Sequence, residues 1–196
     1  ENQEKIDKII PEISRCANTQ NKVDSADFSS NHKFHEIIQR ISRRKSYKPQ
    51  GQSYTNTKYF YERTRGSYND TRNKIMDKQK RKSFDAEFPK KQMFVKTDLA
   101  AYVNSWDKKP FLVSLGPQKN FLIFNEQIQK DFKDNPDQFD DYYFDLIIGK
   151  KILYDGIYSV ANKKNDIYSS YRQVVTYTLA KLSYDIPNGY EFNFQK

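Results

Sequence analysis

The run Tyr59-Phe-Tyr-Glu-Arg-Thr-Arg-Gly66 concentrates stackable rings, two guanidinium groups and one carboxylate into eight residues. Read as a strand, it sends Tyr59, Tyr61 and Arg63 to one side and Phe60, Glu62 and Thr64 to the other. One side then offers rings for unpaired bases and cations for phosphates. The other reading is an aromatic strand whose Glu62 neutralises an arginine. Glu62 is the only acid between Glu36 and Asp70, in a stretch dense with cations. It is therefore a counter-ion or a functional group, and it is the weak catalytic candidate here.

Cations surround this run. Residues 40–96 hold 17 Lys/Arg against 5 Asp/Glu, whereas the other 139 residues hold 17 against 20. The net +9 of the chain thus comes entirely from one segment. Arg43, Arg44, Tyr59, Tyr61, Arg63, Arg65, Lys80 and Arg81 are the expected nucleic-acid contacts, with DNA or RNA as the partner. The bland alternative is a solvated helical face over core tyrosines. Ala17-Asn-Thr-Gln-Asn-Lys22 adds a polar loop, where Asn18, Gln20 and Asn21 either read base edges or close a turn through their own backbone.

Other chemistry is sparse. Asp85-x-Glu87 followed by Lys90 and Lys91 echoes the carboxylate-plus-lysine layout of metal-dependent nucleases, but Pro89 intervenes and the spacing differs. His32 and His35 lie three residues apart with no accompanying carboxylate or cysteine cluster, so helix-start packing is expected and no metal. There is no glycine-rich phosphate loop and no Gly-x-Ser-x-Gly elbow, and no cofactor is expected.

The elements that must position these groups read as mostly helical. Phe34, Ile37, Ile38 and Ile41 form a helical stripe after a cap at Ser29-Ser30-Asn31. Strand pairing is expected around residues 58–63 and 92–95. A polar helix spans 69–82, and Thr97 caps a helix to Trp106. Residues 111–115 read as a short apolar segment. Residues 118–132, 138–162 and 167–184 are the long helices, with Ile147, Ile148, Leu153, Val174, Val175 and Leu179 buried between the last two. A further helix is expected over 1–15, and a short strand over 188–194. The fold class is α+β, predominantly α-helical, as one domain over 1–196 with a basic subregion at 40–96 and a helical core at 97–185.

The 196 residues suit such a domain, although 36% hydrophobic and 30% charged residues and a mean hydropathy of −0.98 describe a thin core. The 15% aromatic content compensates, because each ring buries a large area. No apolar run reaches the ~20 residues of a membrane span. The single cysteine and two histidines exclude an internal disulfide and a zinc site of the usual kind, and point to a reducing, cytoplasmic setting. With no initiator Met and an abrupt helical start, the chain reads as a segment of a longer one.

Seven segments, in order, resemble the bacterial abortive-infection phage-resistance family, AIPR. They are Asn18-Thr-Gln-Asn21, Tyr61-Glu-Arg-x-Arg-Gly66 with Tyr68, Phe88-Pro-Lys, Thr97-Asp-Leu-Ala100 with Asn104-Ser-Trp106, Pro110 to Val113, Gly116-Pro-Gln-Lys-Asn-Phe121, and Tyr171-Arg with Val175-Thr-Tyr177. The resemblance implies a module of a larger phage-defence protein, whose remaining domains would be its partners. The Asn-Gly-x-Gln-Thr motif that members carry upstream is not in this chain. Two alternatives to a nucleic-acid module stay open: part of a nuclease site completed elsewhere, with Glu62, Asp85 or Glu87 facing a metal, and a structural domain that docks partners.

Overall fold

The computed structural model describes residues 32–48, 56–162 and 172–185. The expected helix over 1–15, the loop of Asn18, Gln20 and Asn21, the cap at 29–31 and the strand at 188–194 lie outside them. In chain order the elements are α1 (Lys33–Arg44), β1 (Ser46–Tyr47), β2 (Thr57–Lys58), β3 (Phe60–Glu62), α2 (Ser67–Asn73), α3 (Lys78–Glu87), β4 (Met93–Val95), α4 (Lys96–Trp106), α5 (Pro110–Ser114), α6 (Pro117–Asp134), α7 (Asp141–Asn162) and α8 (Arg172–Asp185). The α+β, predominantly helical class holds.

The two expected strand regions do pair. β3 runs parallel to β4 with Phe60 opposite Met93, Tyr61 opposite Phe94 and Glu62 opposite Val95. A parallel pair requires a long crossover, and α2 and α3 supply it. β1 and β2 form a separate antiparallel pair, with Ser46 opposite Lys58 and Tyr47 opposite Thr57. The expected strand over 58–63 is therefore divided at Tyr59 between two sheets.

This small ribbon has hydrophobic residues packed on both faces. Tyr59, Tyr61 and Phe94 join the main core with Phe34, Ile38 and Ile41 of α1, Leu99 and Tyr102 of α4, Phe121 and Phe124 of α6, and Phe144, Ile147 and Ile148 of α7. Phe60 belongs to a second cluster with Tyr68 of α2 and Phe84 and Phe88 at the end of α3. The main core thus reaches back well before residue 97. Aromatic edges carry the packing: Phe34 meets Phe139 edge-on at 5.0 Å, and Phe60 meets Tyr68 edge-on at 5.0 Å.

Local chemistry explains where the boundaries moved. The expected 69–82 helix is two helices, because the Asp77 carboxylate accepts the Lys80 N–H at 2.7 Å and starts α3 afresh. α1 begins on His32, whose Nδ1 accepts the Phe34 N–H at 3.3 Å. At the start of α4, Asp98, not Thr97, reaches back to the Val95 N–H at 3.1 Å. The 111–115 segment is helical, with Pro110 at its first position, where proline is tolerated. Gly116 then takes a positive φ of 95°, and Pro117 opens α6.

One burial expectation fails. Ile147 and Ile148 are buried and Leu153 and Leu179 half-buried, but Val174 and Val175 are exposed at 45% and 40%. α8 approaches its neighbours through Thr176 and Ala180, both fully buried and one helical turn apart. Small residues on that stripe permit close contact, and the valines fall beside it.

Candidate functional site

The part of the basic segment that forms α2 and α3 packs around the Phe60 cluster, and the acids of the segment are largely engaged within the protein. The Glu62 carboxylate is buried and accepts the backbone N–H groups of Gly66 at 2.8 Å and Tyr68 at 3.0 Å. It thereby fixes the loop that lifts the chain from β3 into α2, where Gly66 takes a φ of 83°. Asp85 forms a two-pronged pair with Arg72, at 2.6 and 2.7 Å, which holds its carboxyl below the usual range. Glu87 pairs with Lys58 at 2.6 Å. Asp77 caps α3. The three carboxylates expected to face a metal are thus bound to other partners, and no group of three metal-ligating side chains occurs among the described residues.

The expected contact residues divide. Tyr61 is completely buried and Tyr59 nearly so. Burial pushes the Tyr59 phenol up to about 12 and the Tyr61 phenol higher still. Neither ring is available to stack on a base. The alternation read from the sequence is correct, but both sides of the strand are covered. Arg43 also turns inward: its guanidinium lies 3.3 Å over the Phe60 ring and donates to the Tyr61 carbonyl at 3.2 Å and to Ser42 Oγ at 3.0 Å. Burial lowers its pKa to about 10, with the Glu62 charge opposing. Arg63 is half-buried and donates to Gln39 Oε1 at 3.0 Å. Arg81 is half-buried and donates to the Ile75 carbonyl at 2.8 Å. Arg44 is exposed and bonded to Asp141 at 2.8 Å.

Arg65 and Lys80 are exposed, as expected, and so are Lys74, Lys78, Lys82, Lys90 and Lys91. Lys78, Lys80 and Lys82 occupy the first half of α3 with no ion-pair partner among the described residues.

A second site was not expected from the sequence. Where α4, α6, α7 and α8 approach one another, a cavity of about 200 Å³ is lined by Asp98, Tyr102, Asn120, Tyr154, Asp155 and Arg172, among others. Burial raises the Asp98 pKa. Asp155 is bonded to the buried Lys151 one turn earlier on α7. The Arg172 guanidinium sits 4.9 Å from the Tyr154 ring centre and 4.6 Å from that of Tyr158. Asn120 is 1% exposed; its Oδ1 accepts from Asn104 at 2.7 Å, but its Nδ2 has no partner among the described residues. The legible signal was a set of polar residues at helix starts, at 97–98, 120 and 172, but only packing brings them together.

A mostly helical α+β domain with a cationic lobe on one side of a two-stranded ribbon is the class that these features define. The AIPR protein family model matches residues 1–196, so the chain belongs to the AIPR family. Membership places it in the context of abortive-infection phage resistance. No curated protein and no solved structure matches it. No helix among the described residues is long and apolar enough to cross a membrane.

Proposed function

We infer that the chain is a nucleic-acid-engaging module of an abortive-infection protein, with the exposed cations of the small lobe as phosphate contacts. The observation that supports this is the placement of Lys78, Lys80 and Lys82. Helix N-termini carry partial positive charge, so three lysines in the first half of α3 oppose the local electrostatics. No acid sits in the first turn beyond the Asp77 cap, and Asp85 and Glu87 further along the helix pair with Arg72 and Lys58. The arrangement lowers helix stability and leaves a concentrated positive surface. A polyanion is the partner that relieves it. Contacts of this kind read phosphate and not sequence, since the tyrosines proposed for stacking lie in the core.

Titrating labelled single- and double-stranded DNA and RNA at several salt concentrations tests the reading. Three neutralised phosphates predict a log–log slope of about −3 on a duplex. A flat response, or no binding at low ionic strength, overturns it.

A docking role is the second reading, favoured by the exposed Phe111, Leu115, Val174 and Val175 on α5, its C-terminal end and α8. Pull-down against the remaining domains of the larger protein, with Val174→Ser and Val175→Ser as the control, would separate the two.

A further inference from the structure

We propose that the cavity between α4, α6, α7 and α8 binds a nucleobase, and that guanine fits it best. The proposal rests on the cavity alone and is independent of the cationic lobe. Its volume of about 200 Å³ lies below the ~300–1,000 Å³ of ordinary ligand pockets, which favours a single ring system over a peptide or a long ligand. The walls include the Tyr102 and Tyr154 rings, 5.3 Å apart, which give a planar occupant apolar surface.

Charge balance excludes the simpler occupants. Among the described residues, Asp98 and Asp155 are matched by Lys151 and Arg172, so these four side chains together present no net charge to a bare cation or a bare anion. What it presents is unfilled hydrogen-bonding capacity of both signs. Asp98 uses one oxygen on the Val95 N–H, and Asp155 uses one on Lys151 Nζ. Each carboxylate keeps a second oxygen with no hydrogen bond to the described residues. Asn120 belongs to the same lining, and its Nδ2 is a buried donor with no hydrogen-bond partner among the described residues. An unsatisfied buried donor is costly, and a ligand that accepts from it recovers that cost.

The complementary ligand is planar, donates N–H groups toward the carboxylates and accepts from an amide N–H of the same lining. Among nucleobases, guanine presents two adjacent N–H donors next to its O6 acceptor. Adenine lacks the second donor on that edge, and the pyrimidines fill less of the space. Arg172, held over the Tyr154 and Tyr158 rings, also lines the cavity and would be the partner for the sugar-borne phosphate of a nucleotide. The same base chemistry is available from a free nucleotide or from an unpaired residue of a strand.

Isothermal titration of the 196-residue chain with guanosine, guanosine monophosphate, adenosine monophosphate and inorganic phosphate tests the proposal. A thymidine oligonucleotide carrying one central guanine, compared with the all-thymidine strand, forms a further arm. Saturable binding of guanosine monophosphate, with adenosine monophosphate weaker and phosphate alone silent, is the expected result. Saturation by the free nucleotide identifies a small-molecule site; a preference confined to the guanine-bearing strand identifies an unpaired base. Asp98→Asn and Asp155→Asn each keep the bond to Val95 or Lys151 and convert the free acceptor to a donor. Each should weaken binding about tenfold or more, Asp98→Asn at unchanged melting temperature and Asp155→Asn at a lowered one, because the buried Lys151 loses its counter-ion. If one variant does not fold, the other carries the comparison. No binding in any base-containing arm, equal competition by inorganic phosphate, or undiminished affinity in the folded Asn variants would overturn the proposal.

Discussion

His35 Nδ1 and the Tyr61 hydroxyl lie 2.7 Å apart in the centre of the core, and both residues are fully buried. The bond ties α1 to β3. On its other side His35 Nε2 is 3.2 Å from Asn125 Oδ1 on α6. That carbonyl oxygen can only accept, so Nε2 carries the proton and Nδ1 accepts from the tyrosine. The neutral ring satisfies three elements at once, and burial lowers its pKa to about 4.

Stability should therefore fall on mild acidification. The unfolded chain takes up a proton near pH 6.5, whereas the folded one resists until about 4. The contribution is complete above pH 6.5 and is lost as pH drops toward 4, by up to about 3 kcal/mol. Melting temperatures at pH 7.5, 6 and 5 check this, with His35→Gln as the comparison. Parallel curves for the two proteins would show that His35 is not the group responsible.

Glu62→Gln should destabilise the lobe. Two backbone N–H groups converge on the carboxylate, and a glutamine can offer only one carbonyl oxygen while its amide opposes the second donor. The expected cost is about 1–3 kcal/mol, or several degrees of melting temperature. An unchanged melting curve would remove the structural role assigned to Glu62.

Lys78→Gln/Lys80→Gln/Lys82→Gln should uncouple binding from stability. Polyanion affinity should fall and its salt slope should flatten by about three units. Stability should stay constant or rise slightly, because each cation near the helix N-terminus costs about 0.3–1 kcal/mol at low salt. Circular dichroism melts beside the titrations decide it; a large loss of stability would mean that the lysines hold the lobe together.

The two faces of the α7–α8 region should respond differently to truncation. Ile148→Ala removes a buried side chain and should cost about 2–5 kcal/mol. Val175→Ala removes an exposed one and should stay within about 0.5 kcal/mol. Urea denaturation of both variants provides the measurement, and equal losses would place α8 the other way round.

The sequence by itself determined the helical class, the two strand regions, the alternation along residues 59–62 and the excess of cations over 40–96. Each depends on local periodicity or composition, which neighbouring residues fix. The family was legible for the same reason, since its segments are read along the chain. Tertiary structure alone decided which groups remain available. Whether Tyr61 faces solvent depends on α1 and α4, far away in sequence, closing over one face of the ribbon, and whether Phe60 does depends on α3 closing over the other. Arg43 and Arg63 turn inward because Phe60 and Gln39 stand beside them, a fact with no trace in the local pattern. The cavity of Asp98, Asn120, Asp155 and Arg172 is the extreme case: four helices contribute one residue each, and hydrogen bonds left open at a distance are set by packing and not by sequence spacing.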